Sequence, residues 1–143
     1  LAIEQIEPTN FELWCQEVLS KDKGYNFEPT GGIHDGGQDG FVRSVEGDPS
    51  HYVQISKEKE TSKKIRNTIT RLKETRDLEK LTYVTSQNES ERDLLEAKLK
   101  RDVGVEVMIH DKRWLVIRAQ LDEHIKSSLF SFSKNIVDGL SEI

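Results

Sequence analysis

The chain has 143 residues, of which 34% are apolar and 33% charged, with 21 Lys and Arg against 26 Asp and Glu and a formal net charge of −5; this length suits one domain with its own core. A membrane span needs about 20 apolar residues, whereas the longest such run is Trp114–Ile117, and the first residues lack the basic start and apolar core of a signal peptide. The single cysteine, Cys15, excludes an internal disulfide or a multi-cysteine zinc site and favours a reducing, cytoplasmic compartment.

The first predicted element is an amphipathic helix over residues 11–19, because its apolar residues recur at helical spacing. Thr9 or Asn10 is expected to cap its start. Gly24 is expected to end it, since the left-handed cap position favours glycine. Residues 25–28 then predict a short strand.

A glycine-rich segment follows, with five glycines between Gly31 and Gly40. Such a segment permits tight turns and lets a ligand approach the backbone closely. It lacks the Gly-Lys-Ser/Thr of a nucleotide-binding P-loop, which excludes that function. Residues 41–45 and 51–56 predict two strands of a hairpin, joined by turn-forming residues 46–50.

Helices and strands alternate in the second half of the chain. A helix opens at Thr61 or Ser62, and Ile65, Ile69 and Leu72 line its apolar side. A strand at 81–85, a helix at 90–101, a strand at 103–109 and a long helix from Asp111 follow. The apolar residues expected to face inward on those two later helices are Leu94, Leu95, Leu99, Trp114, Ile117, Leu121, Ile125 and Leu129.

This order of elements, α-β-β-β-α-β-α-β-α, predicts an α/β fold of three layers with a mixed central sheet flanked by helices. Residues 1–143 are expected to form a single domain. Because the chain begins at Leu1 without a methionine, we expect it to be an N-terminal piece of a longer protein. The terminal helix either folds back onto this domain or leads to a following one.

Positive charge is concentrated just after the second hairpin strand. Residues 57–76 contain eight basic and three acidic residues, a net charge of +5, on a chain that is acidic overall. A basic stripe of this kind attracts polyanions to one surface, although many such stripes are only solvated helix faces. The residues expected to contact nucleic acid are Lys59, Lys63, Lys64, Arg66 and Arg71.

A candidate site lies where the glycine-rich segment meets the hairpin. The two-residue period of a strand places Tyr52, Gln54 and Ser56 on one face and Val53 and Ile55 on the other. Oxygen ligands from Asp35, Asp39 and Gln54 beside a flexible backbone suit a hard cation such as magnesium, and Lys57 and Lys59 at the strand end are suited to face a phosphate.

Three features together resemble a known family: a helix ending in Gly-Tyr, the sequence Asp-Gly-Gly-Gln-Asp-Gly, and the strand Tyr-Val-Gln-Ile-Ser-Lys. They resemble the Mrr-like branch of the PD-(D/E)xK nuclease superfamily over about residues 11–72. The resemblance implies a restriction-endonuclease-like fold and magnesium- or manganese-dependent hydrolysis of DNA phosphodiesters.

The resemblance also implies roles for particular residues. Glu12, in a Phe-Glu pair, matches the family's helix glutamate, and Asp39 matches its metal-binding aspartate. Gln54 matches the first residue of the (D/E/Q)-x-K element, so Glu12, Asp39 and Gln54 are the implied metal ligands. The family lysine falls on Ser56, so Lys57, one residue later, is the implied replacement at the scissile phosphate, with Lys59 as a second substitute. By strict alternation Lys57 points away from Gln54, unless a bulge re-aims it.

Several of these residues also have purely structural interpretations. Glu12 suits an exposed acid in the first helical turn, with Glu17 as a rival, and Asp39 suits a turn. Isolated loop histidines such as His34 and His51 are more often neither ligands nor proton carriers. Buried packing is the expectation for Cys15, Trp14 and Trp114.

The leading hypothesis is a magnesium-dependent DNA endonuclease that acts as the effector domain of a larger prokaryotic protein, in defence against phage or other foreign DNA. Its expected partners are double-stranded DNA, further domains of the parent chain and a second copy of itself, with no membrane. A second hypothesis, motivated by Ser56, is a nuclease fold that binds nucleic acid without cleaving it. A third is an interaction domain that self-associates through its long terminal helix.

Overall fold

The computed structural model describes the backbone of residues 2–27 and 41–141 and the side chains of residues 3–27 and 41–132. The glycine-rich segment, with Asp35, Asp39 and His34, lies outside these residues. The described elements, in chain order, are α1 (Ala2–Gln5), α2 (Pro8–Lys23), β1 (Phe41–Val45), β2 (Asp48–Ser56), α3 (Thr61–Thr75), β3 (Lys80–Thr85), α4 (Arg92–Val103), β4 (Glu106–His110), α5 (Lys112–Leu121) and α6 (Glu123–Ser141).

The predicted helix near the N-terminus is α2, which begins earlier than expected. Its cap is Glu7 rather than Thr9 or Asn10, and Pro8 occupies the first helical turn. Proline suits that position because it lacks an N–H and its φ is already helical. The predicted end at Gly24 is confirmed: its φ is 71° and its N–H donates to the carbonyl of Ser20 at 3.0 Å.

The four strands form one mixed sheet in the order β1-β2-β3-β4. β1 runs antiparallel to β2, with Phe41 opposite Ile55, whereas β2, β3 and β4 are parallel. The register irregularity of the hairpin lies between Ser44 and Val45, near the turn. The predicted strand at 25–28 is reduced, in its described part, to one bridge between Phe27 and Val45.

Helices cover both faces of the sheet, which confirms the predicted three-layer α/β architecture with its mixed sheet. One core packs α1, α2, α5 and α6 against the face carrying Val53 and Ile55. The other packs α3 and α4 against the face carrying Tyr52 and Leu81. The predicted inward positions Ile65, Ile69 and Leu72 of α3 are buried. The expected core positions of Cys15, Trp14 and Trp114 are confirmed as well.

Some predicted helical positions are wrong. Leu94 is 70% exposed, because α4 packs through Leu95 and Leu99, which lie four residues apart on another face of the helix. The single long helix predicted from Asp111 is divided into α5 and α6. The carboxylate of Asp122 accepts hydrogen bonds from the N–H groups of His124 and Ile125, starting a new helix. Leu121, at the end of α5, is 76% exposed, and Ile117, also predicted to face inward, is 38% exposed.

The first part of α6 folds back onto the domain, as one of the two expectations had it. Ile125 and Leu129 are buried in the core that also contains α2. The indole N–H of Trp14 donates to the carbonyl of Ile125 at 3.0 Å, and Ser128 Oγ donates to a Glu17 carboxylate oxygen at 2.6 Å. Among the described residues, no helix combines the length and apolar character that crossing a bilayer requires.

Candidate active site at the carboxyl edge of the sheet

One edge of the sheet gathers the ends of several strands. β2 ends at Ser56, β3 at Thr85 and β4 at His110, while the antiparallel β1 begins at the same edge with Phe41. Ser86, just after β3, donates its N–H to the carbonyl of Ser56 at 3.3 Å. Ligands of open α/β sheets bind outside the carboxyl ends of parallel strands, so this edge is where a site is expected.

Glu12 reaches this edge from the second turn of α2. Its carboxylate lies near the backbone N–H of Phe41, the first residue of β1. Burial raises the pKa of Glu12, although the Phe41 N–H and the nearby Arg43 lower it in part. Glu12 is therefore a partly desolvated carboxylate, not an acid of the first turn, and its oxygen donors suit a hard divalent cation.

Asp39 precedes Phe41 by two residues in the sequence and lies outside the described residues. The other predicted acid of the helix, Glu17, interacts with α6 instead, through Ser128 and through His124 Nε2 at 2.9 Å. Among the described side chains, those of residues 3–27 and 41–132, no three His, Cys, Asp or Glu come together as a metal-binding group.

Lys57 follows β2 and turns toward α1 and α2. Its Nζ donates hydrogen bonds to the carbonyl oxygens of Ile3 (3.0 Å), Glu4 (3.2 Å) and Ile6 (2.6 Å). It also lies 5.5 Å from the centre of the Phe11 ring. Burial lowers the pKa of Lys57. The amine thus caps the carboxyl end of α1, on the side of the sheet that α2 covers.

Gln54 is fully buried and lies on the other side of the sheet. It pairs in register with Val42 and Tyr83, two residues of the core formed with α3 and α4. Its strand remains regular as far as Ser56, whose hydroxyl accepts the N–H of Glu58 at 3.0 Å. The predicted alternation therefore holds, and the structure does not bring Gln54 together with Lys57.

The predicted nucleic-acid-binding residues divide into two groups. Lys59, Lys63 and Lys64 line a cavity of about 630 Å³ at the start of α3, which Lys57 also lines. Arg66 instead forms an ion pair with Asp102 of α4 at 3.3 Å. Arg71 lies further along α3, where its helix neighbour Lys73 donates to the carbonyl of Val103 at 2.6 Å. Only the start of the basic stripe therefore adjoins the candidate site.

Sequence reasoning missed a second group of residues at this edge. A cavity of about 430 Å³ is lined by Glu4, Lys57, Ser86, Gln87, Asn88 and Lys112. Lys112 forms an ion pair with Glu4. Their positions in the sequence could have indicated them. Ser86, Gln87 and Asn88 follow β3 and Lys112 follows β4, and ligands of open α/β sheets bind just beyond the carboxyl ends of parallel strands.

Comparison with known families agrees with this architecture. The family model Mrr_cat, described as a restriction endonuclease, matches residues 3–98, which is more than half of the chain. Comparisons with curated proteins and with solved structures give no significant match. The matched range runs from α1 into α4 and includes Glu12 and Lys57, and it confirms the resemblance drawn from the sequence motifs. The chain therefore belongs to the Mrr_cat restriction endonuclease family and carries a nuclease domain of the restriction-endonuclease type.

Proposed function

We propose that this domain is a DNA endonuclease that depends on Mg²⁺ or Mn²⁺, with Glu12 and Asp39 as the carboxylates that hold the metal. The observation that supports this most is that the partly buried Glu12 carboxylate lies near the backbone N–H of Phe41. A partly desolvated carboxylate thus lies beside the start of β1, two residues after Asp39 in the sequence. Carboxylate oxygens are the ligands that these hard cations prefer.

Lys57 is the proposed positive charge at the scissile phosphate. It lies on the α2 side of the sheet, as Glu12 does, and an ammonium group there stabilises the charge that develops on the phosphate. Gln54 packs on the other side, so the proposal assigns the metal to Glu12 and Asp39 and gives Gln54 a packing role. The bound metal would polarise the phosphodiester and activate a water molecule.

The proposed substrate is double-stranded DNA, held without base reading by the lysines at the start of α3. Lys59, Lys63 and Lys64 line one cavity with Lys57, so a phosphate backbone there would pass close to the site. The proposed setting is the cytoplasm of a prokaryote, where the domain would serve a larger, homo-oligomeric protein in defence against foreign DNA.

A nicking assay with supercoiled plasmid tests the activity. The chain is incubated with plasmid and Mg²⁺ or Mn²⁺, beside Asp39→Asn and Glu12→Gln variants and a Glu17→Gln control. The proposal expects metal-dependent nicking that falls at least about 100-fold in the first two variants and stays within about twofold in the control. Equal nicking by all proteins, or none with either metal, contradicts it.

A second candidate function, a nuclease fold that binds DNA without cleaving it, is favoured by one observation. The Lys57 ammonium is fully engaged by three carbonyl oxygens of α1 and its end. In that arrangement it has no hydrogen free for a phosphate. Salt-dependent retention of duplex DNA with no nicking in either metal would support this alternative over the first.

A further inference from the structure

Three cavities adjoin one another along the carboxyl edge of the sheet. The cavity at the start of α3 shares Lys57 with the cavity of about 430 Å³ that Ser86, Gln87 and Asn88 also line, which we call the central cavity. The central cavity shares Asn88 and Lys112 with a third, of about 700 Å³, which extends along α5 to Arg113 and Gln120. We call these three cavities the edge trough. Both of its junctions contain a lysine.

Helix α1 and Ile6, the residue that follows it, contact both of these lysines. At the first junction the carbonyl oxygens of Ile3, Glu4 and Ile6 accept all three ammonium hydrogens of Lys57. At the second junction the Glu4 carboxylate pairs with Lys112. The side chains of Ile3 and Ile6 are buried in the core, which anchors the segment, while Glu4 stays exposed at the trough.

We infer that α1 is an autoinhibitory segment that takes the place of a DNA phosphate backbone in the edge trough, and that duplex DNA binds by displacing Glu4 from Lys112 and the α1 carbonyls from Lys57. This inference rests on the proposed function and adds the regulation of its site. It also explains how Lys57 serves a phosphate although α1 holds it here.

The α1 segment and a DNA phosphate backbone would present the same kind of hydrogen-bond acceptor to the two lysines. Carboxylate, carbonyl and phosphate oxygens are all acceptors for an ammonium group, so each α1 contact is one that a phosphate oxygen can replace. Beside the acids Glu58, Glu60 and Asp111, the lining of the trough contains hydrogen-bond donors, among them Ser86, Gln87, Asn88 and Arg113. Such donors hold phosphate and sugar without reading bases.

Duplex binding by three variants of the chain tests the inference. The chain is titrated into a labelled 20-base-pair duplex in EDTA, which prevents metal-dependent cleavage, and fluorescence anisotropy is measured at low and moderate salt. The test variant is Glu4→Gln. Its control is Glu7→Gln, which makes the same charge change at an exposed residue three positions away that lines none of the three cavities. A third variant, Lys112→Gln, removes the proposed contact.

Glu4→Gln is expected to tighten duplex binding about fivefold, against less than about twofold for Glu7→Gln, and Lys112→Gln is expected to weaken it about threefold or more. If Glu4→Gln and Glu7→Gln tighten binding equally, or if Lys112→Gln binds as well as the parent, the autoinhibitory role is wrong while DNA binding stands. If no protein binds the duplex at either salt concentration, the inference and the proposed substrate fail together.

Discussion

The Nζ atom of Lys57 lies 2.6 Å from the carbonyl oxygen of Ile6, and the same ammonium group also bonds the carbonyls of Ile3 and Glu4. The last carbonyl groups of a helix have no hydrogen-bond donors inside the helix. Here the ammonium group of Lys57, which follows strand β2, is their donor. The N-terminal segment is thereby tied to the edge of the sheet where the strands β2 and β3 end.

Lys57→Met is expected to destabilise the fold, because methionine retains much of the apolar stem but removes the three hydrogen bonds. Bonds from a charged donor to partly buried carbonyls contribute about 1.5–3 kcal/mol, so we expect a loss of about 2 kcal/mol in the free energy of unfolding, measured by urea denaturation. Lys59→Met, an exposed neighbour, is the control and should change stability by less than about 0.5 kcal/mol. Equal effects of the two substitutions would show that the hydrogen bonds from Lys57 to α1 contribute nothing to the stability of the fold.

The raised pKa of Glu12 gives a pH-dependent prediction. Because burial disfavours its carboxylate, ionised Glu12 lowers the stability of the folded state at neutral pH, and this loss disappears as the pH falls below the ordinary value of 4.5. In EDTA, Glu12→Gln is therefore expected to be more stable than the parent at pH 7, by less than about 1 kcal/mol because solvent screens the group, and equally stable near pH 3.5. Thermal unfolding at both pH values measures this difference. A variant less stable than the parent at pH 7 would contradict it.

His110 gives the opposite pH dependence. Burial, with Lys23, Arg92 and Arg118 nearby, lowers its pKa to about 4, and its ring stacks on Trp114 with the centroids 4.0 Å apart. His110 of the unfolded chain takes up a proton near pH 6.5, whereas His110 of the folded chain does so only near pH 4. The free energy of unfolding is therefore highest above pH 6.5 and decreases as the pH falls toward 4. His110→Phe keeps an aromatic stack without the proton. Between pH 7 and pH 4 the free energy of unfolding should fall by about 2 kcal/mol less in this variant than in the parent.

Urea denaturation at several pH values measures that difference. Parallel pH profiles for the two proteins would show that His110 does not titrate in this range.

The basic residues give a prediction about DNA binding. Lys59 and Lys64 line the cavity beside Lys57, whereas Lys98 and Lys100 are exposed on α4, outside the three cavities. We expect the Lys59→Glu/Lys64→Glu double variant to bind a 20-base-pair duplex about tenfold more weakly at low salt and with a smaller salt dependence. Lys98→Glu/Lys100→Glu carries the same charge change and should bind within about twofold of the parent. Similar losses in both double variants would indicate only a general charge effect.

The alternating elements of the fold could be predicted from the sequence because their apolar periodicity is strong. Ile65, Ile69 and Leu72 of α3 recur at helical spacing, and the strands carry β-branched residues. The division of the last helix could not be found this way, because Ile117 and Leu121 continue the apolar spacing while Asp122 starts a new helix by capping it. Side-chain capping overrides a continuous pattern here.

The candidate site was predictable only in part. The family resemblance implied Glu12 and Lys57, and both reach the α2 side of the sheet. The face occupied by Gln54 depends on which side of the sheet each helix covers, and a local pattern does not contain that information. The contacts of α1 with Lys57 and Lys112 join residues more than 50 positions apart, with no periodic signal to announce them.

Manganese binding shows directly whether Glu12 and Asp39 hold a divalent metal. Calorimetric titration of Mn²⁺ into the chain, and into the Glu12→Gln, Asp39→Asn and Glu17→Gln variants, measures it without any requirement for cleavage. We expect one site in the parent and in Glu17→Gln, with affinity at least about tenfold weaker in each of the other two variants. Equal affinity in all four proteins, or no binding to the parent, would contradict it.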